Sequence, residues 1–234
     1  HVLTYGCHSK ADVMATQIKL DIWNTTFMLN TPVGHIEINS PLIGMFNVYN
    51  MLAASAAALA AHIPLTMIKE ALETIPGVDG RFERVDEGQG FAVIVDYAHT
   101  PDSLKNVLET INEFAKEKVY VVVGCGGDRD RKKRPLMADI AVQYADHAIL
   151  TSDNPRTEQP EAILNDMTEG LTKTNYETIV NRKDAIHHAV HLAKENDIIL
   201  IAGKGHETYQ EINKVRYDFD DRVVASDAIK AKEK

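Results

Sequence analysis

The pattern of hydrophobic and polar positions changes near residue 80 of this 234-residue chain. Beyond that point, short apolar runs alternate with stretches in which apolar residues recur every three or four positions. The first pattern predicts buried strands, and the second predicts amphipathic helices. Because the apolar runs are nearly continuous, we expect a mostly parallel sheet with helices on both faces, which is the doubly wound, Rossmann-like α/β class.

The elements predicted for this region alternate regularly along the chain. A helix opened by Thr100 and Pro101 follows the first strand, as expected of a capping residue and a proline in the first turn. The predicted strands are 91–99, 118–127, 146–152, 177–181 and 197–203, the predicted helices are 100–117, 133–145, 160–171 and 182–195, and an edge segment and a last helix occupy 214–232.

The first part of the chain has a different pattern. The short β-like runs HVLTYG, DIWNTTFMLN and GHIEINS precede an alanine-rich helix around MFNVYNMLAASAAALAA and a second helix at PLTMIKEALETI. The stretch PGVDGRFE follows, and its proline and glycines favour a break between domains. We therefore predict two domains, residues 1–79 and 80–234.

Composition and charge exclude several classes of protein. Hydrophobic residues make up 44% and charged residues 25%, as in soluble globular proteins. The net charge of −9 disfavours a nucleic-acid or anionic-membrane partner. Cys7 and Cys125 form neither a disulfide framework nor a CxxC metal site, which fits a reducing compartment. No apolar run approaches the roughly 18 residues of a membrane span.

Polar chemistry follows four of the predicted strands, in the segments DYAHTPD, GCGGDRDRKKRP, TSDNPR and GKGHETYQ. Taken singly, each segment is also consistent with an ordinary turn or a solvated face. The carboxyl ends of parallel strands meet at one edge of a sheet, where such folds bind their ligands. We therefore expect the four segments to form one site.

The glycine-rich segment does not fit the common nucleotide-binding motifs. Position 129 is Arg where G-x-G-x-x-G requires glycine, and no G-K-[ST] follows as in a Walker A loop. A nicotinamide-dependent oxidoreductase is therefore disfavoured. The basic run in this segment is either a solvated face or a grip for a carboxylate or phosphate, to which arginine is suited. Asp96 and His99 are either local hydrogen-bonding groups or contacts to a nucleotide or its metal.

The order of these segments resembles the Mur ligase family. The matching segments are MFNVYNMLAA, GRFERV, VDYAHTPDSL, GCGGDRDRKKRP, TSDNPR, IAGKGHETYQ and FDDR. The set is similar to the MurE type, which forms a carbon–nitrogen bond to diaminopimelate in peptidoglycan synthesis. Lys132 stands where the family usually has glycine. The family's P-loop, UDP-sugar domain and carbamylated-lysine segment have no counterpart in these residues.

The resemblance implies an organisation and a set of partners. Residues 1–79 would be the remnant of a central ATP-binding α/β domain, and residues 80–234 would be the C-terminal, amino-acid-binding domain. The implied reaction partners are meso-diaminopimelate, a UDP-muramoyl dipeptide and ATP, with Mg²⁺ held mainly by residues upstream. We expect a cytoplasmic monomer, no metal site and no covalent nucleophile in this chain, and no turnover by the chain alone.

The resemblance also assigns binding residues. The meso-diaminopimelate site would comprise Arg129, Asp153, Asn154, Pro155, Arg156, Gly203 and Glu207, and the ATP site would include Asn47, Arg81, Asp96 and His99. In this family the D-N-P-R loop accompanies diaminopimelate, because an arginine can bind the distal carboxylate that lysine lacks. The alternatives are another Mur-type or folylpolyglutamate-type ligase and an amino-acid-binding module without turnover.

Overall fold

A computed structural model of the protein describes residues 2–8 and 10–232. The chain divides into two units, His1–Gly77 and Val78–Lys234. None of the described helices combines the length and the apolar character needed to cross a membrane. The assignment of residues 1–79 and 80–234 to named domains stays a prediction.

The first unit is a four-stranded sheet with two helices. The order is β1–β2–β3–β4, with β1 parallel to β2 and the other pairs antiparallel. The elements are β1 (Tyr5–Gly6), β2 (Val13–Leu20), β3 (Thr25–Thr31), β4 (Gly34–Ser40), α1 (Met45–Ala60) and α2 (Leu65–Thr74). Both predicted helices are confirmed. The sequence pattern missed β2, whose alternation of apolar positions is interrupted by a bulge between Thr16 and Lys19.

The second unit contains the predicted doubly wound sheet, of order β5–β6–β10–β7–β8–β9. Only its edge strand β5 is antiparallel to its neighbour within the described residues. The elements are β5 (Glu83–Val85), β6 (Ala92–Asp96), α3 (Pro101–Asn112), β7 (Val119–Cys125), α4 (Lys133–Tyr144), β8 (His147–Ser152), α5 (Pro160–Thr168), β9 (Tyr176–Thr178), α6 (Arg182–Leu192), β10 (Ile198–Ala202), β11 (Tyr209–Ile212), β12 (Val215–Asp218) and α7 (Asp221–Lys232). The predicted fold class is confirmed.

Alternate residues of the central strands point to opposite faces of this sheet, and both faces are covered. Val93, Val122 and Ile201 belong to the core cluster that packs against α6 and α7. Their neighbours Ile94 and Leu200 are paired across the sheet and fully buried on the side of α3 and α4. This two-sided burial explains why the strands are apolar throughout.

The order of the strands determines which strand ends lie next to each other. The chain reaches β10 last of the core strands but inserts it between β6 and β7. Because β6, β10, β7 and β8 are all parallel, their carboxyl ends lie at the same edge. The sequence pattern did not predict this order, nor the short β5 and the β11–β12 hairpin.

Candidate functional site

A cavity of about 330 Å³ opens at the carboxyl edge of the second unit's sheet. This volume is within the range of small-ligand sites. The prediction that the four strand ends come together is confirmed, since each of them contributes to the lining. The predicted residues in the lining are His99, Arg129, Asp153, Asn154, Arg156, Gly203 and Glu207, and the lining also includes Tyr97, Cys125, Asp130, Lys133 and Met137.

Two guanidinium groups at the cavity have no carboxylate partner. Within the described part of the chain, neither Arg129 nor Arg156 forms an ion pair, whereas the neighbouring Arg131 and Arg134 both do. Arg129 donates from Nη1 to the carbonyl oxygen of Asp128 at 3.0 Å. These two cations are therefore available to an anionic group of a ligand.

Arg156 is held in place by its backbone. Its φ of 51° lies in the left-handed region, which is uncommon for a residue with a side chain. The N–H of Arg156 donates to the Glu211 carbonyl oxygen at 3.0 Å, and its own carbonyl accepts from the Asn213 N–H at 2.6 Å. Nη1 also donates to the Gly127 carbonyl oxygen at 2.8 Å. The β11–β12 hairpin thus fixes the conformation from which Arg156 reaches the cavity.

Gly127 lets two loops of the site pack directly against each other. A Cβ atom on Gly127 would lie 1.9 Å from the Pro155 carbonyl oxygen. The Gly127 N–H donates to the Asn154 carbonyl oxygen at 2.9 Å. This glycine therefore serves loop packing. Pro155, a predicted binding residue, is buried and is not among the residues that line the cavity.

The cavity lining also carries carboxylates. Asp153 accepts the backbone N–H of Asn154 at Oδ1, at 2.6 Å, and Glu207 accepts the Asn154 Nδ2 at Oε2, at 2.9 Å. Asn154 is 2% exposed and also accepts the Glu211 N–H at 2.9 Å. Its amide is therefore used largely within the protein. Lys204, which is not among the predicted binding residues, donates to the same Glu207 oxygen at 3.0 Å.

Gly203 lies close to the Asp153 carboxylate and is hydrogen-bonded to the backbone of Asp96. Its φ of 114° favours glycine, and a Cβ atom there would lie 2.9 Å from Asp153 Oδ2. Its N–H donates to the Asp96 carbonyl oxygen at 3.0 Å. A side chain at this position would fill the space beside the Asp153 carboxylate.

Asp96, a predicted ATP contact, uses both carboxylate oxygens internally. They accept the backbone N–H groups of Phe82 and Ala98, each at 2.8 Å. Burial raises the pKa of Asp96, while these two hydrogen bonds and the charge of Arg81 act to lower it. Asp96 therefore anchors the turn that carries Arg81.

The other predicted ATP residues differ in exposure. Arg81 and His99 are exposed. The Arg81 guanidinium lies 4.8 Å from the centre of the Tyr97 ring, and His99 Nδ1 donates to the Tyr97 carbonyl oxygen at 2.9 Å. Asn47 belongs to α1 of the first unit, where its Nδ2 donates to the Ile43 carbonyl oxygen at 2.9 Å. Across residues 2–8 and 10–232, no group of three or more His, Cys, Asp or Glu side chains could hold a metal ion.

The basic run of the glycine-rich segment has two functions. Arg134 is 1% exposed and donates to both carboxylate oxygens of Glu158, at 2.8 and 2.7 Å, and to Asp166 at 2.7 Å. These ion pairs stabilise the loop, and Arg134 also contributes to the cavity lining. Lys133 lines the cavity with Arg129.

The Cys125 thiol in the cavity lining is neutral. Burial is the main cause, followed by the charge of Asp153, and together they raise the pKa of this thiol to about 12.

Two family models match this chain. Residues 80–205 match the "Mur ligase, glutamate ligase domain" and residues 1–58 match the "Mur ligase middle domain". Among solved structures, one described as UDP-N-acetylmuramoyl-L-alanyl-D-glutamate–2,6-diaminopimelate ligase superposes with a TM-score of 0.80 at 42% identity, covering 99% of this chain and 48% of that one. The UDP-N-acetylmuramate-alanine ligase MurC of Thermotoga maritima shares the fold, with a TM-score of 0.65 at 20% identity over 99% of this chain and 48% of that one.

Curated relatives extend the similarity. A protein of Oceanobacillus iheyensis named UDP-N-acetylmuramoyl-L-alanyl-D-glutamate–2,6-diaminopimelate ligase is 62% identical over 99% of this chain and 48% of its own length. Proteins of the same name from Bacillus cereus and Listeria monocytogenes are 58% and 55% identical, over 97% and 99% of this chain and 46% and 48% of their own lengths. The chain thus spans about half the length of these relatives. Because the glutamate ligase model covers more than half of its residues, this chain belongs to the Mur ligase family.

Proposed function

We propose that this chain is part of an ATP-dependent ligase that joins meso-diaminopimelate to UDP-N-acetylmuramoyl-L-Ala-D-Glu in peptidoglycan synthesis. The observation that carries this proposal is that arginines and carboxylates line the same cavity. Arg129 and Arg156 have no carboxylate partner in the described chain, and the carboxylates of Asp153 and Glu207 line the same cavity. The names of the similar proteins support the same substrate.

The chemistry of meso-diaminopimelate fits this combination of charged groups. The molecule has a carboxylate and an amine at each end, so it needs cationic and anionic partners in one pocket. We assign a carboxylate to Arg156 through two parallel hydrogen bonds and the second carboxylate to Arg129. Asp153 and Glu207 would accept hydrogen bonds from the ammonium that does not react. Lysine lacks one carboxylate and would leave Arg156 unpaired, which disfavours lysine strongly.

In the proposed reaction the D-glutamate γ-carboxylate is activated as an acyl phosphate, with ATP as phosphoryl donor and Mg²⁺ as counter-ion. A neutral amine of diaminopimelate attacks the acyl carbon, the new C–N bond replaces the C–O bond to phosphate, and the amine loses a proton. This chain's residues bind and orient the amino acid, which lowers the barrier by positioning.

The nucleotide would lie near Arg81 and His99, whose exposed side chains can reach a ligand. Asn47 of the first unit is proposed to contact the adenine. The carboxylate of Asp96 is already occupied by two backbone N–H groups. Asp96 is therefore less suited to bind magnesium than the residues expected to hold the ion. The intact protein is proposed to be a cytoplasmic monomer without nucleic-acid or membrane partners.

The test uses the full-length protein that contains this chain together with its P-loop. ADP release should require both the UDP-muramoyl dipeptide and meso-diaminopimelate, and L-lysine should be a poor substitute. Arg156→Ala should raise the KM for meso-diaminopimelate by about 30-fold or more, because a charge-assisted bidentate pair is lost. Arg131→Ala is the matched control, since Arg131 pairs with Asp166 at 2.7 Å.

An unchanged KM in Arg156→Ala would refute the assignment of that residue. Equal use of L-lysine would refute the substrate. Binding of meso-diaminopimelate without any turnover by the full-length protein would favour the alternative of an amino-acid-binding module.

A further inference from the structure

A buried ammonium group is hydrogen-bonded to one of the carboxylates that line the cavity. Lys204 is 0% exposed, and its Nζ donates to Glu207 Oε2 at 3.0 Å and to Asn154 Oδ1 at 3.2 Å. Nζ also lies 5.4 Å from the centre of the Tyr209 ring. Burying an ammonium is unfavourable unless it is paired and hydrogen-bonded, so the position requires these partners.

The two oxygens of Glu207 have different surroundings. Oε2 accepts hydrogen bonds from both Lys204 and Asn154 Nδ2, at 3.0 and 2.9 Å. Oε1 accepts no hydrogen bond from any described residue, and the side chain, which is 20% exposed, lines the cavity. Asn154 is itself fixed by the Glu211 N–H at 2.9 Å. The carboxylate is thus held by one oxygen and presents the other to the cavity.

We infer that Lys204 is a positioning residue for recognition of the amino-acid substrate. It holds Glu207 by Oε2 and leaves Oε1 to accept a hydrogen bond from the substrate ammonium that does not react. This inference rests on the proposed function. Because Lys204 has no exposed surface and is not part of the cavity lining, its effect on the ligand passes through Glu207 and Asn154.

The substrate pair that tests this role is meso-diaminopimelate and 2-aminopimelate, which has the reacting amine but no second amine. In the full-length protein, the preference is the ratio of kcat/KM for the two compounds. Lys204→Met and Glu207→Gln should each reduce this preference by about 10- to 100-fold, the value of a hydrogen bond to a charged group. Lys204→Arg keeps the positive charge and should retain more of the preference. The KM for ATP should not change in any of these variants.

A double variant keeps the test decisive if Lys204→Met alone folds poorly. Lys204→Met/Glu207→Gln should show the same preference as Glu207→Gln, because Lys204 acts through Glu207. A further tenfold loss in the double variant, or full preference in Lys204→Met, would overturn the inference. If the wild-type protein fails to use meso-diaminopimelate, the proposed function is wrong as well. If the wild-type protein uses meso-diaminopimelate, the preferences of the variants test the role of Lys204 alone.

Discussion

Arg182 and Asp221 form an ion pair without exposed side-chain surface, and we predict that breaking it strongly destabilises the second unit. Arg182 Nε and Nη2 donate to the two carboxylate oxygens at 2.8 and 2.7 Å. Nη2 also donates to the Ala202 carbonyl oxygen at 3.0 Å, and Nη1 lies 3.4 Å from the Ser152 carbonyl oxygen. One guanidinium therefore joins the starts of α6 and α7 to the ends of β8 and β10.

The expected loss in the free energy of unfolding depends on which buried polar groups each variant leaves without a partner. Arg182→Met leaves the Asp221 carboxylate without its cation, at a cost of about 3–5 kcal/mol in the free energy of unfolding. Arg182→Met/Asp221→Leu removes both charges, and only the two strand-end carbonyls then lose a donor, at about 1–3 kcal/mol. The double variant should therefore be more stable than the single variant, because an apolar pair carries no desolvation cost.

Urea unfolding followed by far-UV circular dichroism would measure these differences, with amide hydrogen exchange of β8 and β10 to locate them. The single tryptophan, Trp23, lies in the first unit, so its fluorescence follows that unit separately. Lys183→Met, at an exposed neighbouring position, should change stability by less than about 0.5 kcal/mol. A loss below about 1 kcal/mol in Arg182→Met, or a double variant less stable than the single one, would refute the reasoning.

Three further predictions concern the site. Gly127→Ala should lower the melting temperature and weaken meso-diaminopimelate binding in calorimetry, because its Cβ would lie 1.9 Å from the Pro155 carbonyl oxygen; unchanged binding would contradict this. Cys125, whose pKa burial raises to about 12, should resist iodoacetamide in the folded chain, and rapid labelling seen by mass spectrometry would count against it. The Arg134 hydrogen bond lowers the pKa of Glu158. That stabilisation is present above the ordinary value of about 4.3 and is lost as pH falls through the folded pKa, so Arg134→Met should flatten the acid side of a stability–pH curve.

Local chemistry explains why most helices could be predicted. Thr100 caps α3, and its hydroxyl accepts the Ser103 N–H while the Ser103 hydroxyl accepts the Thr100 N–H. Pro101 occupies the first turn, as the sequence indicated. The helix ends at Asn112, earlier than the predicted 117, because apolar periodicity does not mark a carboxyl end that lacks a glycine or proline signal.

The strand order could not be predicted from the same information. β10 pairs with both β6 and β7, and Ile198 lies 106 positions after its partner Ala92 and 79 positions after its partner Val119. No local pattern specifies such a neighbour. The convergence of the strand ends was still predictable, because it requires only that the strands be parallel and not that their order be known.

The identity of the binding residues stays a prediction, but the structure shows which of them the protein itself hydrogen-bonds. Asn154, which is predicted to contact substrate, lines the cavity, and its amide is also hydrogen-bonded to Glu207 and Glu211, more than fifty residues along the chain. Asp96 similarly binds Phe82 and Ala98. A motif indicates which polar residues occupy an edge. Which of them the protein itself uses depends on partners that are distant in sequence.

The availability of a carboxylate partner separates the structural cations from the candidate ligand-binding ones. Arg134, Arg182 and Lys204 are at most 1% exposed, and each bonds a carboxylate of the protein. Arg129 and Arg156 share the same edge and have no such partner among the described residues. A guanidinium left unpaired in a cavity is incompletely satisfied until an anion binds. Burial and pairing thus distinguish these two arginines from the structural cations, a distinction that residue type alone could not make, and the proposal that they bind the substrate carboxylates rests on it.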